Sequence, residues 1–199
     1  MVKMTDRTCF LTQIIWMGNS HFFLWKDGGE KPDRILTDRN GVLVNEESKA
    51  LALQFARSLN EDVDADDLRL FDFDRLLAIL RGGRQGAILS KSDYHNILEG
   101  WNLIEDLGRS LKIALVPQED SSSLVQGLYE QVFVCADVLD LADRGVSSEV
   151  RAKIVGVTPS WALEGNGPRL TREKIGAILD FLEGAWKAVR LDKGWKESQ

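Results

Sequence analysis

The chain has few of the residues from which disulfide frameworks, metal centres and proton relays are built. It holds two cysteines, Cys9 and Cys135, and two histidines, His21 and His95, in 199 residues. The cysteines stand alone without metal-ligand spacing, which excludes a disulfide-stapled scaffold and a local zinc motif, so both read as small core residues in a reducing compartment. His21 and His95 have no sequence-local partner, and no His-Glu-x-x-His pattern occurs. Ser121 to Ser123 and Ser160 lack a Gly-x-Ser-x-Gly elbow and read as loop residues. Apolar runs fall far short of the roughly 18 residues that a membrane-spanning helix needs, and the opening MVKMTDRTCF has no apolar signal core. These absences lead to the expectation of a cytoplasmic chain with no membrane partner. Basic charge is also short: 25 Lys and Arg against 31 Asp and Glu give a net charge of −6. Nucleic acid is therefore not expected as a direct ligand, whereas a basic protein would be attracted.

What the chain does have is clear patterning. Residues 8–16 (TCFLTQIIW) and 21–25 (HFFLW) are rich in β-branched and aromatic residues and predict a hairpin closed by Gly18-Asn19-Ser20. Short strands at 34–37 and 41–44, joined through Asn40-Gly41, extend it into an antiparallel meander. Residues 46–59 follow a helical pattern, 68–71 suggest one more strand, and Asp72 or Asp74 is placed to cap a helix reaching about Leu80. Gly82-Gly83-Arg84-Gln85-Gly86 reads as a hinge, lacking the Gly-Lys-Ser/Thr ending of a phosphate loop. Beyond it Tyr94, Ile97, Leu98, Trp101, Ile104, Leu107 and Leu111 recur at steps of three and four, one stripe of a long helix with Ser92 or Asp93 at its start and its end near Lys112. Residues 124–142 read as a helix. Thr171 can cap a final helix with Ile175, Ile178, Leu179, Leu182, Trp186 and Val189 on one stripe.

The expected fold class is thus α+β, an N-terminal antiparallel β-meander with helices and a mainly helical C-terminal part packed on it. The expected division is a β-rich lobe over 1–81, a linker over 82–92 and a helical lobe over 93–199, with one compact domain as the alternative.

Charge is concentrated at one place. Between Glu61 and Asp74 stand Glu61, Asp62, Asp64, Asp66, Asp67, Asp72 and Asp74 against Arg69 alone. Asp62, Asp64 and Asp66 resemble the start of a calcium loop, but Asp67 and Phe73 stand where such a loop needs Gly and Glu. Asp72 and Asp74 could hold Mg²⁺ as paired oxygen ligands, the basis of a reading as a phosphoester hydrolase, while a capping carboxylate explains them as well. A solvated acidic surface is the plain reading of the whole segment. Docking of a basic partner through Asp62, Asp64, Asp66, Asp67, Asp72 and Asp74 is the functional one. A second acidic stretch, 91–150, holds eleven acids against four bases. The six tryptophans, Trp16, Trp25, Trp101, Trp161, Trp186 and Trp195, read mostly as core, with an exposed anchor or two as the alternative, which would suit a peptide-binding adaptor.

The string Ile97-Leu98-Glu99-Gly100-Trp101-Asn102-Leu103-Ile104-Glu105-Asp106-Leu107 resembles a Trp-Asn-Leu-x-x-Asp helix of immunity proteins from contact-dependent growth inhibition and related polymorphic toxin systems. Leu128 to Phe133, Gly156-Val157-Thr158-Pro159 and Leu170 to Trp186 resemble, in order, that family's next helix, its Val-Thr-Pro turn and its closing amphipathic helix. The resemblance implies a cytosolic antidote that binds one cognate toxin domain, commonly a basic nuclease, and occludes its active site. With no catalytic or metal motif in the chain, no catalytic residue, cofactor or metal is expected, and the expected state is a monomer or weak homodimer.

Overall fold

A computed structural model describes residues 9–29, 31–38, 43–113, 115, 121–147, 150 and 170–192. The chain is an α+β protein, with a four-stranded sheet formed by the N-terminal residues and helices over most of the remainder.

Strands β1 (Cys9–Trp16) and β2 (Asn19–Lys26) pair antiparallel in direct register from Cys9↔Lys26 to Trp16↔Asn19. The turn is therefore Met17-Gly18, one position earlier than Gly18-Asn19-Ser20. Both residues have positive φ, 49° and 74°, as a two-residue hairpin loop with the strands' own twist requires. Strand β3 (Arg34–Ile35) adds two residues to the β2 edge through Trp25↔Ile35 and Lys26↔Arg34. Of the expected 41–44 strand, residues 41 and 42 and the Asn40-Gly41 turn lie outside the described residues, and Leu43 forms a single bridge with Thr37.

Helix α1 (Lys49–Ser58) starts at Ser48, whose hydroxyl accepts the Leu51 N–H at 3.3 Å. It ends where Asn60 takes a left-handed conformation (φ 56°) and Glu61 N–H reaches back to the Ala56 carbonyl. Strand β4 (Val63–Asp72) follows and pairs parallel with β1, so the sheet is mixed, in the order β3-β2-β1-β4. This corrects the all-antiparallel meander: a helix placed between two strands returns the chain for parallel pairing, which a tight turn cannot do.

The sheet is apolar on both faces. Register places Cys9, Leu11, Phe22 and Leu24 on one face, where they form a cluster with Leu36 and with Ala52 and Ala56 of α1. The other face carries Phe10, Thr12, Ile14, Trp16, Phe23 and Trp25. There Trp186 stacks on Phe73 at 4.5 Å between ring centroids and lies 5.5 Å from Trp16.

Four further helices follow: α2 (Phe73–Arg84), α3 (Lys91–Leu111), α4 (Ser121–Asp143) and α5 (Arg172–Asp192). All seven stripe residues of α3 and all six of α5 are buried. Helix α3 begins one residue before the helix proper with a capping box. The Ser90 hydroxyl accepts the Asp93 N–H, and the Asp93 carboxylate accepts the Ser90 N–H at 2.7 Å. Thr171 caps α5 by accepting the Lys174 N–H at 3.3 Å.

The chain forms two compact units. One contains 1–74, 102–115 and 184–199, the other 75–101 and 116–183. The segment 82–92, expected to link two lobes, lies inside the second unit. Gly82 and Gly83 are part of α2, and a Cβ on Gly83 would sit 3.1 Å from Leu89 and 3.2 Å from Ile175. That glycine serves close packing, and a hinge is not needed to explain it.

Candidate functional site

Strand β4 is an edge strand, and its acids are presented in a bulge. Cys9 pairs with Val63 and Leu11 with Leu68, so two steps along β1 oppose five along β4 and three extra residues swell the edge. Asp64, Asp66 and Asp67 stand in this bulge and Asp62 stands just ahead of it. All four are exposed. The Asp64 carboxylate accepts the Asp66 N–H at 2.9 Å, a local turn of the kind short acidic side chains favour. Among the described residues, none of the four carboxylates is ion-paired.

The segment's charges that could offset or join this group are directed elsewhere. Arg69, its lone base, is held against aromatic rings, its guanidinium 3.4 Å over the Phe10 ring and 5.3 Å from that of Trp25. Glu61 places both carboxylate oxygens on the Lys26 ammonium. Asp72 pairs with Ile15 in the ladder, about 16 Å along an extended strand from Asp67. Asp74 is a structural residue: its two oxygens accept the N–H groups of Met17 and Gly18, each at 2.8 Å, and so hold the β1–β2 turn. Of the six aspartates expected to dock a partner, the structure brings four together and sets Asp72 and Asp74 apart.

An open sheet edge is a hazard, since its unpaired N–H and C=O groups invite another strand. A bulge and contiguous charge blunt it. The same group forms a concentrated negative surface to which a basic protein is steered. Leu70 is 55% exposed beside it and adds an apolar contact on the same strand.

Several other titratable groups are paired or buried. His21 is buried with Nδ1 3.2 Å from the Asn45 amide nitrogen, and His95 lies 3.1 Å from Asp140, which also binds Lys91 at 2.7 Å. The Lys91 hydrogen bond is the main influence holding the Asp140 carboxyl below its ordinary value. Burial pushes the Cys9 thiol up to about 11 and the Cys135 thiol up to about 12, so both stay protonated at neutral pH. Burial also raises the Asp106 carboxyl to about 6 against the opposing pull of Arg109. Among the described residues, no three His, Cys, Asp or Glu side chains converge as metal ligands. Trp25, Trp101 and Trp186 are buried and Trp16 is half-buried, while Trp161 and Trp195 lie outside the described residues.

Among the described residues no helix is long and apolar enough to cross a membrane. Comparison with protein-family models, with curated proteins and with solved structures found no match to this chain.

Proposed function

We propose that the chain is a cytoplasmic immunity protein that binds a cognate toxin domain, a basic nuclease, and covers its active site. The observation that carries this reading is the acidic edge of β4: Asp62, Asp64, Asp66 and Asp67 are all exposed within six residues, no described cation pairs with them, and the Arg69 guanidinium is held over the Phe10 ring. A basic groove shaped for phosphates meets such an edge with complementary charge, which speeds encounter and selects the partner. The resemblance of the α3 sequence to the Trp-Asn-Leu-x-x-Asp helix supports the class of protein, and the edge supplies the surface.

Two rival readings have less behind them. A magnesium-dependent phosphoester hydrolase needs Asp72 and Asp74 together on a metal, but both Asp74 oxygens are engaged by the hairpin turn. An adaptor using exposed tryptophans finds none fully exposed among the described residues.

The test is to search directly upstream for an encoded toxin-like domain and to co-express it with this chain, scored by cell survival and co-purification; absence of such a domain would count against the reading. Rescue with a stable complex is expected, and rescue should fail when Asp62, Asp64, Asp66 and Asp67 are all changed to Asn. Absence of a complex, or a complex indifferent to those four changes, would overturn the reading.

A further inference from the structure

On the opposite edge of the same sheet, strand β3 and the ends of α1 and α3 border a cavity of about 330 Å³. That is roughly ten times a water molecule's share of the liquid, and at the lower end of the range that holds small ligands. Its wall includes Arg34, Thr37, Glu61 and Ser110, with Leu36 and Leu59 as apolar lining.

The polar groups around it are unevenly satisfied. Glu61 has both oxygens on Lys26, so its charge is already matched. The Arg34 guanidinium makes no ion pair with any described residue. The Ser110 oxygen accepts the Ile35 N–H at 2.8 Å, which leaves the hydroxyl proton to be donated elsewhere. The cavity therefore offers donors, a forked guanidinium and a hydroxyl, and its one carboxylate is occupied. In a chain of net charge −6 the lining with Lys26 carries an excess of one positive charge.

The site is also held in shape from one side. Besides the Ile35–Ser110 bond, Arg109 donates to the Asp33 carbonyl at 3.3 Å, so two consecutive residues of the last turn of α3 fix the strand that carries Arg34.

We propose that this cavity binds a small organic oxyanion, with a phosphate or carboxylate head on Arg34 and Ser110 and an apolar portion against Leu36 and Leu59. A planar guanidinium pairs with two oxygens of such a head at once. The ligand site takes its cations and hydroxyl from β2, β3 and the end of α3, whereas the docking group takes its acids from β4 and the residue before it; Glu61 of the cavity wall directly precedes Asp62.

The experiment is an NMR titration of the full chain with inorganic phosphate and, separately, with acetate, at constant ionic strength with chloride as the reference anion. Saturable shifts are expected at the Arg34, Ile35 and Ser110 amides for at least one oxyanion, with phosphate and acetate separating the two head groups. Arg34→Gln is expected to weaken binding about tenfold or more. Glu61→Gln is expected to strengthen it, because Lys26 loses its carboxylate and becomes a second cation for the anion. That direction also separates binding from mere loss of structure. Absence of saturation up to tens of millimolar, or an affinity that neither variant changes, would overturn the proposal.

Discussion

Replacing Asp106 with Asn should stabilise the protein at neutral pH, although it removes one member of an ion pair with Arg109. Asp106 is 8% exposed, and burial outweighs the Arg109 guanidinium, raising the carboxyl from 3.8 to about 6. Between these values the folded chain holds a proton that the unfolded chain has released. Stability from this group is thus greatest below the unfolded value, falls as pH rises through the window from about 4 to 6, and is fully lost above it. A shift of about two units corresponds to at most about 3 kcal/mol. Asn resembles the protonated acid in size and keeps an oxygen for Arg109, yet does not titrate. Urea denaturation of both proteins between pH 4 and pH 7.5 isolates the effect, since other titrating groups cancel in the difference. The two should be nearly equal at pH 4, and the variant should be more stable at pH 7.5, by up to about 3 kcal/mol. A difference that does not change with pH, or a wild type that gains on the variant as pH rises, would refute the argument and make the Asp106–Arg109 pair a net stabiliser.

Asp74→Ala removes the acceptor for two turn N–H groups and should cost about 1–2 kcal/mol, the scale of a lost helix cap, read as a lower urea midpoint; a neutral result would remove Asp74 from the turn. By contrast, Asp64→Asn, Asp66→Asn and Asp67→Asn together should leave stability within about 0.5 kcal/mol of wild type, because these acids are exposed, no described cation pairs with them, and an amide at position 64 keeps the oxygen that accepts the Asp66 N–H; a clear loss would give the group a structural role. Cys9 and Cys135 should resist a thiol reagent at pH 8 in the native protein and react once it is unfolded, and rapid native labelling of either would contradict their burial.

The helices were legible because their signals are local. The stripes of α3 and α5 repeat every three or four residues, and Thr171 stands immediately before the helix it caps. Even there a neighbour decides the detail: Ser90, two residues ahead of the expected cap, forms the box with Asp93. The direction of β4 was not legible, because pairing with β1 is a choice among strands more than forty residues apart. Nor could the sequence separate Asp74 from the other acids, since its partners Met17 and Gly18 lie 57 and 56 residues away. The six aspartates form one group when counted along the chain, and only the strand's geometry divides them into three in the bulge with Asp62 just ahead of it, one in the ladder and one at the turn. The division into units was hidden for a similar reason: glycines such as Gly83 announce flexibility in sequence, but in α2 the missing side chain makes room for Leu89 and Ile175.

The central claim is that the acidic edge of β4 docks a basic protein. Its most direct test is the affinity of the full chain for a purified toxin domain from which it rescues cells, measured over a salt series for wild type and for the variant with Asn at 62, 64, 66 and 67. Tight wild-type binding that weakens as salt rises, with the variant weaker at low salt and less sensitive to salt, is the predicted result. Equal affinities with equal salt dependence would contradict it and leave the edge as a guard against aggregation alone.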